Sequence, residues 1–235
     1  MNDLIDEPFF LSNLAMIRER IASACADCGR APSEIRLLPI TKTFPFGAAE
    51  YALRSGYPAV GENRVREALD KMDGAPPDLQ WELVGHLQSN KAKLAAGRFD
   101  RIQSVDSVKL LRRLNVAMES REGSQRILLQ VNAGEDPAKF GVCPEAAEAL
   151  LEEGLSLPSI KIEGFMTIAP LSRDPEIARR AFARLREIGD RLAERSGASL
   201  PELSMGMSAD LEAAVIEGST LLRVGSALFG ERVSH

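Results

Sequence analysis

The 235-residue chain has few of the residues that bind metals or form disulfides. It holds three cysteines (Cys25, Cys28, Cys143) and two histidines (His86, His235). An odd cysteine count without a secretion signal argues against a disulfide framework. Cys25-Ala-Asp-Cys28 is a lone C-x-x-C near the end of a predicted helix. It has no second pair and too little histidine nearby to complete a metal site, so no metal is expected. An excess of positive charge is also missing. The balance is −5, which gives no support to a nucleic-acid or anionic-membrane partner. No apolar run reaches membrane-spanning length. The start, Met1-Asn2-Asp3-Leu4-Ile5-Asp6-Glu7, is acidic and lacks the basic flank of a signal peptide, so a cytoplasmic protein is expected. No linker or low-complexity segment divides the chain, and residues 1–235 read as one domain.

What is present is an ordinary globular composition, 45% hydrophobic and 27% charged, with a regular alternation of patterns. Leu11, Leu14, Ala15, Ile17, Ile21, Ala22 and Ala24 recur at helical spacing, and Gly29 suits that helix's end. Eight short apolar runs follow as predicted strands, at 35–40, 58–60, 81–84, 101–104, 127–132, 161–165, 202–205 and 221–224. Helical stretches lie between them at 48–54, 64–72, 90–95, 108–120, 144–153, 175–196 and 210–217. Asp174-Pro175-Glu176 supplies an N-cap, a first-turn proline and an early acid; Pro144 opens another helix and Gly154 closes it. Strands alternating with helices mean a parallel sheet, and eight repeats fit a closed ring. The expected fold is α/β, a single (β/α)8 TIM-type barrel with an additional N-terminal helix over its outside or bottom.

In such a barrel the carboxyl ends of the strands form the active face. Polar and glycine-rich residues gather there: Thr41-Lys42-Thr43, Gly61-Glu62-Asn63-Arg64, Gly85-His86-Leu87-Gln88-Ser89-Asn90-Lys91, Val105-Asp106-Ser107, Met166-Thr167, Gly206-Met207-Ser208 and Gly225-Ser226. Lys42, just past the first strand, can condense with an aldehyde if partly apolar surroundings favour its neutral form. Gly206, Ser208, Gly225 and Ser226 follow strands seven and eight, where barrels often hold phosphate. Taken singly, either motif reads better as plain turn and cap chemistry, with Ser208 as the N-cap of the helix from Asp210, and Asp210 and Glu212 must point away from any anion. Arg223, amid apolar strand residues, reads as a structural ion pair or as a group aimed at a ligand near the barrel axis. Lysine, phosphate pocket and arginine together suggest pyridoxal 5′-phosphate (PLP). An always-charged, donor-only arginine at the ring nitrogen would keep it unprotonated and weaken the ring as an electron sink.

These segments, with Gly164-Phe165-Met166-Thr167-Ile168, Leu203-Ser204-Met205-Gly206-Met207-Ser208 and Arg223-Val224-Gly225-Ser226-Ala227-Leu228-Phe229-Gly230, resemble the pyridoxal phosphate homeostasis protein family (YggS/PROSC). The likeness runs from about Ile35 to Arg232. It implies a barrel related to the alanine racemase N-terminal domain, with PLP as a Schiff base on Lys42. It also implies a role in buffering and delivering the cofactor and in amino-acid and keto-acid balance, without established turnover. By motif match, Arg223 would approach the pyridine nitrogen, and Gly225, Ser226 and Ser208 would hold the phosphate. Asn63 would lie beside the ring and Met205 would line the pocket. No catalytic residue is expected. PLP-dependent apo-enzymes are the implied partners, and a sealed barrel with no obligatory interface suggests a monomer or weak homodimer. Thr41 stands where serine is common and Arg64 where tyrosine is common. His86, Asn90 and Lys91 belong to the signature without an assigned chemistry, a rim hydrogen bond being expected for His86. Lys139 reads equally as a second anion contact and as a solvated lysine.

The alternative is a PLP-dependent racemase or decarboxylase. A racemase needs acid–base groups on both faces of the bound amino acid, and 235 residues leave no room for the second domain that completes such sites. A lysine aldolase without PLP is a third reading; it predicts a colourless protein.

Overall fold

The computed structural model describes residues 5–230. Eight strands alternate with helices: β1 (Arg36–Pro39), β2 (Ala59–Glu62), β3 (Gln80–Leu83), β4 (Arg101–Val105), β5 (Gln125–Gln130), β6 (Ile160–Met166), β7 (Glu202–Ser204) and β8 (Leu221–Val224). The helices are α1 (Glu7–Cys28), α2 (Gly47–Arg54), α3 (Val65–Met72), α4 (Ala92–Ala95), α5 (Val108–Met118), α6 (Ala147–Leu155), α7 (Pro175–Ser196), α8 (Leu211–Ile216) and α9 (Ser226–Phe229). The strands pair in parallel in the order β1-β8-β7-β6-β5-β4-β3-β2. The seam between β1 and β2 is joined by a parallel bridge, Ile40 to Gly61, where the Thr41 N–H donates to the Gly61 carbonyl at 3.0 Å. The ring is the expected (β/α)8 barrel.

The long helices begin and end where the sequence signals lie. Asp174 Oδ1 accepts from the Glu176 N–H at 3.0 Å, Pro175 fills the first turn, and α7 stops at Gly197 in the left-handed conformation (φ 67°). Its buried face, Ala178, Ala181, Phe182, Leu185, Ile188 and Leu192, packs into the apolar layer between sheet and helices. Elsewhere the boundaries move. Gly154 does not close α6, which runs on to Leu155; it sits inside the last turn because a side chain there would strike Ile162. The second strand continues two residues past its expected end, taking in Gly61 and Glu62. A Cβ at residue 61 would lie 2.4 Å from Ile40 Cδ1, so any larger residue there would require the Ile40 side chain to move.

Helix α1 lies along the outside against α8 and α9. Phe10 stacks on Phe229 with ring centroids 5.2 Å apart, and Asn13 Nδ2 donates to the Leu228 carbonyl at 3.0 Å. The helix thus braces the last two β/α units. The residues after Gly230, including Arg232 at the end of the family likeness and the tail to His235, lie outside the described residues.

The barrel interior is unusually polar. Leu38, Ile40, Val84 and Leu221 form a small apolar cluster. Within the ring Arg101, only 1% exposed, meets Glu82 (2.8 Å) and Glu202 (2.6 Å). Burial works against its charge, but the two carboxylates outweigh it and raise its pKa.

Candidate functional site

Lys42 sits two residues past the Ile40 bridge, half-buried, between fully buried Thr41 and half-buried Thr43. It lines a cavity of about 410 Å³ at the carboxyl ends of the strands. The same cavity is lined by Asn63, Ser208, Arg223, Gly225 and Ser226, so six of the seven expected site residues share one space. Met205 is the exception. It is fully buried in the outer apolar layer, and Met207 lines the cavity instead. Side chains alternate along an extended chain; Ser204 faces inward to Arg223, which turns Met205 outward.

Arg223 is 4% exposed and forms no ion pair among the described residues. Nη1 donates to Ser204 Oγ at 2.7 Å and Nη2 to the Thr167 carbonyl at 2.8 Å. Ser204 Oγ in turn donates to Gln103 Oε1 at 2.6 Å, and Gln103 Nε2 donates to Glu82 Oε2 at 2.6 Å. Ser204 commits its one proton to Gln103, so toward Arg223 it can only accept. The chain therefore has one polarity, from Arg223 through Ser204 and Gln103 to Glu82, and it fixes the guanidinium in the cavity wall. Burial pushes Arg223 down to about 10, with Asp210 and Glu82 opposing, so it stays charged near neutral pH.

The loops after β7 and β8 meet at Ser208. Ser226 Oγ lies 3.4 Å from Ser208 Oγ, which also accepts from the Ala227 N–H at 3.3 Å. Ser208 is therefore not the cap of α8; Asp210 occupies that position, and its carboxylate accepts from the Met207 N–H at 2.6 Å. Burial pushes Asp210 up, with that N–H and Arg223 opposing. Glu212 turns to Arg20 of α1 (2.6 Å), whose guanidinium also donates to the Ser208 carbonyl at 3.1 Å. Both acids are thus engaged by neighbouring donors. At Gly225 a Cβ would press on the Ile40 carbonyl at 3.2 Å, so the turn approaches the strand leading to Lys42 closely.

Other wall residues carried weaker sequence signals. Gln130 ends the apolar run of β5; its Nε2 donates to the Phe140 carbonyl at 3.0 Å, while its buried Oε1 has no partner among the described residues. The His86 ring stacks on Phe140, centroids 3.8 Å apart, with Nδ1 3.4 Å from Asp106 Oδ2. Burial pushes Asp106 up, and His86 opposes the shift. A polar residue closing an apolar strand is the one cue that marks Gln130 in advance. Asn90 lies in a separate groove with Arg112 and Arg113, and Lys139 in another with Ser172 and Arg173. Lys91 and Arg64 do not line the Lys42 cavity.

The family "Alanine racemase, N-terminal domain" matches residues 12–233. A relative from Aquifex aeolicus (strain VF5), named pyridoxal phosphate homeostasis protein, is 40% identical over 220 residues, covering 93% of this chain and 96% of its own. The structure of PipY from Synechococcus elongatus PCC7942 with PLP bound superposes with a TM-score of 0.79 at 39% identity, over 91% of this chain and 100% of that one. An alanine racemase of Clostridium difficile 630, 16% identical, shares the fold with a TM-score of 0.73 over 95% of this chain and 58% of that one. On these likenesses, the chain belongs to the pyridoxal phosphate homeostasis protein family, built on the barrel of the alanine racemase N-terminal domain.

Proposed function

We propose that this protein binds PLP as a Schiff base on Lys42 and acts in PLP homeostasis, holding the cofactor and yielding it to PLP-dependent apo-enzymes without catalytic turnover. The observation that carries the reading is the single cavity joining Lys42, the Ser208–Ser226 pair and Arg223. The residues fit the group. A primary amine meets the need of an aldehyde, two hydroxyls from adjoining turns suit a phosphate, and the unpartnered Gln130 Oε1 can accept from a ring hydroxyl. PLP bound here supplies an electrophilic aldehyde on an aromatic ring. Arg223, held by Ser204 and Thr167, would donate toward the ring nitrogen and would bring no proton acceptor to it. Asn63 would flank the ring and Gly225 would admit the phosphate; both line the cavity. The names of the relatives and the PLP bound in PipY support the homeostasis role.

Purified protein is expected to be yellow with PLP, and borohydride reduction should fix the label on Lys42. Lys42→Ala should lose the absorbance band and the label. A wild-type protein that stays colourless with excess PLP overturns the reading, and sustained racemisation or decarboxylation of any amino acid overturns the absence of turnover.

A further inference from the structure

We propose that Lys71, acting with Glu62 and Glu67, is the positioning residue for Lys42, clasping the backbone on both sides of it; this rests on Lys42 being the PLP-binding amine. Lys71 lies on α3, in the second β/α unit, and is 7% exposed. Its ammonium donates to the Thr41 carbonyl at 2.9 Å, to Glu62 Oε1 at 2.7 Å and to Glu67 Oε1 at 3.2 Å. Those three bonds use every proton an ammonium has. Each acceptor leads back to the lysine loop. Thr41 is held directly through its carbonyl, and its hydroxyl donates to the same Glu62 oxygen at 2.7 Å. Thr43 is held through its N–H, which donates to the Glu67 oxygen that accepts from Lys71. Lys42 is the residue between.

Two further observations separate positioning from simple fold stabilisation. Thr43 has φ 70°, in the left-handed region that β-branched residues rarely enter, and such a conformation persists only where the surroundings enforce it. The pair is also poorly arranged for stability. Glu62 is fully buried, its second oxygen has no partner among the described residues, and burial pushes its pKa up against Lys71 and Thr41. A buried ion pair is weak evidence for stability and is often replaceable by apolar residues. Here its geometry matters because it fixes where the loop carries the amine.

The test compares Lys71→Met/Glu62→Gln, which removes both buried charges together, with Glu67→Ala, which releases the Thr43 anchor and one of the three Lys71 acceptors but leaves Lys71 on Thr41 and Glu62. Three quantities are read: thermal unfolding, the amide exchange rate of Thr43 in protein stripped of PLP, and PLP affinity with its borohydride-trapped fraction. Both variants should unfold near the wild-type temperature, exchange the Thr43 amide about 10-fold faster and bind PLP about 10-fold more weakly. Glu67→Gln, whose amide oxygen can still accept from Lys71 and Thr43, should restore both readouts. Wild-type exchange and affinity in either variant overturn the proposal. If wild-type protein takes up no PLP, the Lys42 reading has failed, and Thr43 exchange alone decides whether the clasp exists.

Discussion

Ser226 contributes one hydroxyl, 3.4 Å from that of Ser208, at an exposed turn. Ser226→Glu puts a carboxylate where the phosphate is proposed to sit. It should weaken PLP binding about 10- to 100-fold while leaving thermal unfolding unchanged, as read by an absorbance titration beside a melting curve. Equal affinity in the variant would mean that the phosphate lies elsewhere. Ser204 is the opposite case, wholly interior and shared between Arg223 and Gln103. Ser204→Ala leaves both without that partner and should cost about 1–3 kcal/mol in urea unfolding. At this scale the sequence was a good guide to residue type and a poorer guide to direction. Lys42, Ser208, Arg223 and Ser226 stand out as the wrong chemistry for a core and the right chemistry for a pocket. Met205 and Met207 are chemically alike and two residues apart, so a continued strand would point both the same way; β7 ends at Ser204, and Gly206, at φ 96°, breaks the alternation so that Met207 lines the cavity.

Among the elements, the β1–β2 seam is joined by the Ile40–Gly61 bridge, just past the end of β1. Gly61→Ala would bring a Cβ against Ile40 and, through it, disturb the strand that carries Lys42. A loss of about 1–3 kcal/mol in chemical denaturation is expected; an unchanged midpoint would show that Ile40 can swing aside. This strand is also where sequence patterning stopped short. Glycine and glutamate read as loop because neither favours a strand and a buried carboxylate needs a partner that no local pattern reveals. That partner, Lys71, is nine residues along on the next helix. Helix α1 shows a similar limit. Its periodicity and its end at Gly29 are plain in the sequence, but its capped start at Asp6 and its role as a brace reaching the Ser208 loop through Arg20 come from the structure, the second depending on where the chain's far end returns.

For the molecule as a whole, the mouth at the amino ends of the strands is ringed by charge: Arg36 with Glu202, and Arg126 with Glu163 at 2.8 Å. Burial alone would push Glu163 up, but Arg126, Arg101 and Lys161 outweigh it and hold the carboxyl below its usual 4.5. A depressed carboxyl stabilises the fold above its unfolded pKa, and the contribution is lost as pH falls through the folded value. Stability should therefore decline more steeply below pH 4.5 in the wild type than in Glu163→Gln. Parallel slopes in acid denaturation would remove Glu163 from that account.

The sequence by itself determined the barrel, because eight alternations of apolar strand and amphipathic helix leave few other ways to bury so many faces, and it determined which residue types crowd the strand ends. The tertiary structure alone decided how those residues are oriented. The Arg223–Ser204–Gln103–Glu82 chain and the Lys71 clasp join residues far apart along the chain, and hydrogen-bond direction, strand pleat and buried charge balance exist only once those distant segments have met.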